Sequence, residues 1–109
     1  MLNLWYKNAV INCADVETFM DSHGDGIGDF VGLTGRLDHI EALGAACVWL
    51  LPFYPTPNRD NGYDITDLYM VEPGPGTLGE FLAITNATQD CGLRIIIDLV
   101  ANHTSVGHP

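Results

Sequence analysis

Three short apolar runs most constrain what this chain can fold into. They cover residues 9–14, 47–51 and 94–100. The middle run is apolar on every side, which is typical of a strand buried on both faces. Helix-like segments separate the runs, so the predicted order is βαβαβ. Short apolar strands joined by helices require right-handed crossovers and a parallel sheet.

Two helices are predicted between the strands. In the first, apolar residues at helical spacing form one face, namely Leu33, Leu37 and Ile40. Gly44 is a suitable residue to end this helix. The second helix is predicted to begin with a capping box. In this motif the side chain of Thr77 accepts from the backbone N–H of Glu80, and the side chain of Glu80 accepts from the backbone N–H of Thr77. Its apolar face is predicted to consist of Leu78, Phe81, Leu82 and Cys91.

Two architectures fit this order: an open doubly wound sheet, and the first three strands of a (β/α)8 barrel. Segments with many polar and charged side chains follow the strands, at residues 21–29, 52–76 and 101–109. Barrel enzymes build their sites from the loops at this end of the strands, which favours the barrel. A Rossmann phosphate loop is missing, because residues 24–28 lack the G-x-G-x-x-G pattern.

The charge balance excludes several classes of partner. The 109 residues contain 14 acidic and 4 basic side chains, a formal net charge of −10. Phosphate neutralisation requires clustered lysine and arginine, so neither nucleic acid nor an anionic membrane surface is an expected partner. No apolar run reaches the roughly 18 residues of a membrane-spanning helix, and no signal peptide is recognisable, so a cytoplasmic location is expected. Three widely spaced cysteines form neither a disulfide framework nor a zinc knuckle.

The segment from Asp21 to Asp29 has the composition of a cation-binding loop. Asp21, Asp25 and Asp29 are interspersed with glycines, and oxygen ligands at such spacing suit a tight loop around Ca²⁺. The Ile27 carbonyl would add a further oxygen. His23 departs from the pattern, because hard Ca²⁺ prefers oxygen to imidazole nitrogen. A solvated acidic turn is the other interpretation of these residues.

Two further groups of polar residues follow the second and third runs. Tyr63 and Asp64 lie at a turn, and a tyrosine beside a carboxylate is typical of sugar recognition, although a half-buried turn tyrosine also fits. Asp98 lies within the third run, where a buried acid is costly unless paired. Asn102 and His103 would project near the carboxyl end of the sheet, where barrel active sites lie. A structural polar network is the alternative to an active site here.

Several short motifs, taken in order, resemble glycoside hydrolase family 13, the α-amylase family. They lie at residues 5–10, 21–30, 33–34, 50–55, 61–65, 76–78 and 97–105. Together they extend over essentially the whole chain, and their common order makes the resemblance specific. Within the family, residues 49–55 and 102–105 are most similar to the trehalose synthase branch, which is related to the oligo-1,6-glucosidase branch.

The resemblance implies a fold and a sugar site. Residues 1–109 would be the N-terminal fragment of a catalytic (β/α)8 (TIM) barrel domain and supply its first three strands. Tyr63 would stack under a glucose ring, and Asp64 and His103 would bind the same sugar. Asp98 would orient the site from beneath. The ligand would be an α-linked glucose oligosaccharide or disaccharide, and the reaction hydrolysis or maltose–trehalose interconversion by a retaining mechanism.

The resemblance also implies a calcium ion. In the trehalose synthase and oligo-1,6-glucosidase branch, its ligands would be the side chains of Asp21, Asp25 and Asp29 and the carbonyl of Ile27. His23 stands where the family usually has asparagine, which would weaken the site. In the α-amylases themselves the position of Asn102 supplies a calcium ligand, so Asn102 is the alternative.

The catalytic acids of the family fall outside these residues. A retaining glycosidase needs a carboxylate nucleophile and an acid roughly 5–5.5 Å apart, and the family places them after the fourth and fifth strands, beyond residue 109. The isolated chain is therefore expected to lack ordinary turnover and, with an open barrel interior, to self-associate. Two other functions stay open at this point: a non-catalytic module that binds calcium or sugar, and a small glycosidase that uses Asp64 and Asp98.

Overall fold

A three-stranded parallel sheet of order β1-β2-β3 is the centre of the fold in the computed structural model, which describes residues 2–109. The strands are β1 (Ile11–Ala14), β2 (Cys47–Leu50) and β3 (Arg94–Ile97). The helices are α1 (Val16–Phe19), α2 (Phe30–Thr34), α3 (Leu37–Ala42) and α4 (Leu78–Asp90), and a 3-10 turn at Trp5–Lys7 precedes β1. The predicted βαβαβ order is confirmed. No helix within residues 2–109 is long and apolar enough to cross a membrane.

The three strands align without offset. Ala14, Leu50 and Ile97 lie side by side where the strands end. A further backbone hydrogen bond, in which Asp98 N donates to Leu50 O at 3.1 Å, continues this alignment beyond β3. The chain segments that follow the strands therefore leave from one edge of the sheet, called the carboxyl edge below.

Helices cover one face of the sheet. Val48 and Leu50 of β2 are fully buried beneath them. The core also takes in side chains from α2, α3 and α4: Phe30, Leu33, Leu37, Ile40 and Ile84. The core extends to Phe53, whose ring centroid lies 5.3 Å from that of Phe30. This contact fixes the start of the segment after β2. Packing on this face therefore holds the carboxyl edge in place.

The opposite face of the sheet is open in part within residues 2–109, since Cys47 on this face is buried. Cys13, Trp49 and Ile96 lie side by side on this face. Trp49 and Ile96 are each 37% exposed. A doubly wound sheet carries helices on both faces, whereas the strands of a (β/α)8 barrel carry them only on the outside. The one-sided arrangement is that of barrel strands.

The first predicted helix is two short helices, although its apolar face is confirmed. α2 ends at Thr34 and α3 begins at Leu37. Leu33, Leu37 and Ile40 are nevertheless all buried, with at most 1% of each exposed. Gly44 follows α3 with a φ of 88°, a left-handed conformation that glycine adopts without a Cβ clash.

The predicted apolar face of α4 is partly wrong. Leu78 and Leu82 are more than half exposed. The buried positions are Ile84 and Thr88, with Phe81 packed against the core beside them. The ring of Phe81 lies against aromatic rings of α2 and of the segment after β2, and these contacts set the rotation of the helix.

The capping box at the start of α4 gives a test of the fold. Glu80 N donates to Thr77 Oγ1 at 3.2 Å, and Thr77 N donates to the Glu80 carboxylate at 2.7 Å. Thr77→Ala should lower the free energy of unfolding by about 1 kcal/mol, the usual effect of losing an N-cap side chain, in urea denaturation. Thr85→Ala within the same helix should change it little, since alanine favours helix. An equal loss in both variants would contradict the capping role.

Candidate functional site

The segments that follow the strands carry most of the charge of the molecule. Residues 15–29, 51–77 and 98–109 contain ten of the fourteen acidic side chains but only one of the four basic ones, Arg59. The rest of the chain holds four acidic and three basic side chains and is almost neutral. The carboxyl edge is therefore strongly anionic.

The central side-chain contact at the carboxyl edge joins Tyr63 to Asp98. Tyr63 Oη donates to Asp98 Oδ2 at 2.9 Å, across 35 positions of sequence. Tyr54 Oη donates to the backbone oxygen of Asp98 at 3.3 Å. Burial, and then the hydrogen bond to the Asp98 carboxylate, raise the pKa of Tyr63, so the phenol stays protonated as a donor. Two predicted site residues from different segments are thus brought together.

Asp64 holds the turn that precedes it. Its Oδ1 accepts from Thr56 Oγ1 at 2.8 Å and from Asp60 N at 3.1 Å, and its Oδ2 accepts from Arg59 N at 2.9 Å. Desolvation favours the neutral carboxyl, but these hydrogen bonds outweigh it and lower the pKa of Asp64. The carboxylate is therefore engaged with its own chain.

The turn that Asp64 holds is conformationally demanding. Asn58 and Asn61 have positive φ values of 55° and 50°, which residues other than glycine seldom adopt and asparagine tolerates best. Gly62 has a φ of 86°, and a Cβ there would lie 2.9 Å from Pro52 O. The hydrogen bonds to Asp64 stabilise a backbone shape that few sequences could form.

Asn102 and His103 lie on the segment after β3 with exposed side chains. Asn102 Nδ2 and His103 Nδ1 are 3.0 Å apart. In the part of the chain that the structure describes, no hydrogen bond joins either side chain to Tyr63, Asp64 or Asp98. Both side chains, on the segment after β3, are therefore accessible to a ligand.

Residues 21–29, called the acidic loop below, are organised around Asp29. Asp29 Oδ1 accepts from Gly32 N at 2.6 Å, which caps α2, and from Ser22 Oγ at 2.7 Å. Asp29 Oδ2 accepts from Ser22 N at 2.9 Å and from His23 Nδ1 at 3.0 Å. Burial opposes ionisation of Asp29, but these bonds outweigh it and hold its pKa well below its ordinary value. The same contact with Asp29 raises the pKa of His23.

The other carboxylates of the acidic loop accept from backbone N–H groups of the loop itself. Asp21 accepts from the amides of His23, Gly24 and Gly26 at 2.7–3.0 Å. Asp25 accepts from Ile27 N at 2.9 Å. Across residues 2–109, no three side chains of histidine, cysteine, aspartate or glutamate converge closely enough to hold a metal ion.

The sequence did not single out several residues that build the site. Ser22 donates twice to Asp29. Thr56 ties the turn to Asp64. Asn58 Nδ2 donates to Glu17 at 3.3 Å and links the first segment to the second. No local pattern marks the bonds of Asp64 to backbone N–H groups that precede it, or the contact of Tyr54 with Asp98, 44 positions away.

Known sequences place this chain among carbohydrate-active proteins. Residues 16–109 match the alpha-amylase catalytic domain. The chain is 50% identical over 105 residues to the trehalose synthase/amylase TreS of Mycobacterium tuberculosis, a match over 96% of this chain and 18% of that protein. It is 47% identical over 106 residues to the trehalose synthase of Thermus thermophilus, over 97% of this chain and 11% of that protein. The chain therefore spans about a fifth or less of the length of these relatives.

Solved structures superpose closely on the chain. The trehalulose synthase MutB of Pseudomonas mesoacidophila gives a TM-score of 0.93 at 41% identity, over 99% of this chain and 19% of that chain. A variant of MutB is known in complex with its substrate sucrose. The trehalose-6-phosphate hydrolase TreA of Bacillus licheniformis gives a TM-score of 0.93 at 40% identity, over 97% of this chain and 19% of that chain. These similarities confirm the resemblance and the barrel fold that the motifs predicted.

Replacing Asp64 tests its role in the turn. Asp64→Ala should speed amide hydrogen exchange at Arg59 and Asp60 at least about tenfold, because a hydrogen bond to a charged group contributes about 1.5–3 kcal/mol. Asp67→Ala is the matched control, since the Asp67 carboxylate accepts from Tyr69 N further along the same segment. Unchanged exchange at Arg59 and Asp60 in Asp64→Ala would show that the turn does not depend on this carboxylate.

Proposed function

Because the chain belongs to the α-amylase catalytic-domain family, we propose that it forms the N-terminal part of a (β/α)8 enzyme that acts on α-glucosidic bonds. The hydrogen bond between Tyr63 and Asp98 carries this proposal. This bond holds an aromatic ring and a carboxylate side by side at the carboxyl edge, where barrel enzymes have their active sites. The names of the relatives, trehalose synthase and oligo-1,6-glucosidase, support action on glucosides.

Each site residue has a role in binding the sugar. The half-buried ring of Tyr63 offers an apolar face to the C–H groups of a pyranose, while its hydroxyl is held by Asp98. The second oxygen of Asp98 accepts from a sugar hydroxyl. His103, exposed on the third segment, supplies a further polar contact. Asp64 acts through the turn that it holds.

The charge of the carboxyl edge favours an uncharged substrate. Ten carboxylates and one arginine lie in the three segments there. A site lined by one sign of charge repels ligands of the same sign. A neutral disaccharide or oligosaccharide therefore fits this edge better than a phosphorylated sugar, even though a trehalose-6-phosphate hydrolase shares the fold.

Asp64 is a poor candidate for the general acid of an autonomous glycosidase. A general acid must be protonated near the working pH, which requires a raised pKa. Hydrogen bonds lower the pKa of Asp64 instead. We infer that the isolated chain binds sugar without ordinary turnover and that the retaining pair of the family acts from other strands. A purely non-catalytic module is less favoured, because the relatives that contain this segment are named as enzymes.

A chimera tests the proposal by turnover. This chain, placed in the M. tuberculosis trehalose synthase/amylase in exchange for the matched segment, should give an enzyme that interconverts maltose and trehalose, followed by NMR of the sugars. Within the chimera, Tyr63→Phe should lower kcat/KM at least about tenfold, because it removes a hydrogen bond to a charged group. Asp98→Asn should have an effect of similar size.

Tyr69→Phe is the control for this experiment. Tyr69 lies on the same segment as Tyr63, and its side chain is 95% exposed. Its replacement should leave kcat/KM unchanged. Equal activity of Tyr63→Phe and Tyr69→Phe would contradict the role of Tyr63. A folded chimera without activity would contradict the proposed function of the chain.

The open face of the sheet supports a second proposal, that isolated copies of the chain associate through it. Trp49 and Ile96 are 37% exposed on this face, and Ile11 is 41% exposed. The edge strands β1 and β3 also present unpaired backbone groups, which pair readily with another chain. Apolar faces of this kind favour association.

Sedimentation velocity over a range of concentrations tests the association. The average sedimentation coefficient of the unaltered chain should rise with concentration. Trp49→Lys places a charge on the open face and should shift the chain toward monomer. Leu43→Lys, at an exposed leucine that follows α3, should not. A monodisperse monomer at high concentration would refute the proposal.

A further inference from the structure

We propose that the acidic loop of this chain closes without a metal ion, because His23 takes the place of the cation beside Asp29. The family resemblance implies calcium at this loop, so the proposal is a departure from what that resemblance implies. It does not depend on the proposed enzymatic function.

The Asp29 carboxylate has no free lone pair for a cation. A carboxylate offers about four lone-pair sites, two on each oxygen. Gly32 N and Ser22 Oγ occupy Oδ1, and Ser22 N and His23 Nδ1 occupy Oδ2. Asp29 is also buried, with 4% of its surface exposed. Ligation of a metal ion by Asp29 would break one of these four bonds.

The direction of the bond between His23 and Asp29 follows from the other bonds of that carboxylate. Backbone N–H groups, which can only donate, meet both of its oxygens, Gly32 N at Oδ1 and Ser22 N at Oδ2, so the carboxylate is the acceptor. His23 Nδ1 must therefore carry the hydrogen and donate it across the 3.0 Å contact. A nitrogen that donates in this way has no lone pair with which to ligate a metal ion.

Histidine and asparagine at position 23 differ in what they can offer a cation. An asparagine side chain carries a carbonyl oxygen, which can ligate calcium, beside an amide group that can donate. The imidazole instead presents Nδ1 to Asp29 as a donor, and the loop closes on a bond of its own.

The Asp21 carboxylate is also bound from within the loop. Asp21 accepts three backbone N–H groups, at His23, Gly24 and Gly26. Gly24 and Gly26 adopt φ values of 77° and 90°, which turn their amides inward toward Asp21. Backbone N–H groups of the loop thus hold Asp21 in place.

Thermal melting of the 109-residue chain in EDTA and in excess CaCl2 tests the proposal. The unaltered chain should melt at the same temperature in both. His23→Asn removes the imidazole donor and supplies a carbonyl oxygen that can ligate calcium, so it should melt lower in EDTA and recover in CaCl2. His39→Asn, the same change at an exposed histidine of α3, should show no calcium-dependent shift. Stabilisation of the unaltered chain by calcium as large as that of His23→Asn would overturn the proposal.

Amide hydrogen exchange and calorimetric titration test the proposal where a variant gives no cooperative melting transition. In EDTA, the amides of Gly24 and Gly26 should be protected in the unaltered chain and exposed in His23→Ala, with no recovery on adding calcium, since alanine supplies no oxygen. Titration with CaCl2 should give binding heat for His23→Asn and none for the unaltered chain. Calcium binding by the unaltered chain that Asp25→Ala abolishes would overturn the proposal.

Discussion

The parallel alignment of β1, β2 and β3 without offset is the constraint on which the rest of this structure depends. Because β2 pairs with both neighbours in register, three polar segments leave from one edge of the sheet. That edge collects ten carboxylates and a single arginine. Repulsion among so many like charges opposes a compact state. Folding therefore requires that these carboxylates find hydrogen-bond donors, and most of the donors are backbone N–H groups of the same segments.

The carboxylates differ in what binds them, and this separates their roles. Asp29 and Asp64 accept several hydrogen bonds from their own loops, which lowers the pKa of each and fixes a backbone shape. Asp98 accepts instead from the hydroxyl of Tyr63, a side chain of another segment. Loop carboxylates of this kind organise the site and are poor proton donors. In the function that we propose, the chain therefore supplies shape and sugar contacts, and proton transfer falls to acids on other strands of the barrel.

Features that depend on sequence neighbours could be predicted, and those that depend on distant contacts could not. The apolar runs, the capping box at Thr77 and the buried face of α2 and α3 follow local patterns, and the structure confirms them. The predicted face of α4 was wrong at Leu78 and Leu82, because aromatic contacts from other segments set the rotation of that helix. Tyr63 and Asp98 could be named from their residue types, but their bond depends on strand register.

The acidic loop shows why a residue pattern does not fix its ligand. Asp21, Asp25 and Asp29 with their glycines describe a loop that surrounds a cation and equally a loop that closes on its own amides. In this chain the neighbour of Asp29 is His23, whose Nδ1 lies 3.0 Å from Oδ2. A donor at that place lets the loop close on its own hydrogen bonds, whereas a side chain without it leaves one site of the carboxylate for a partner from solution. In our proposal, position 23 therefore decides whether the geometry of the first segment responds to the ionic composition of the solvent.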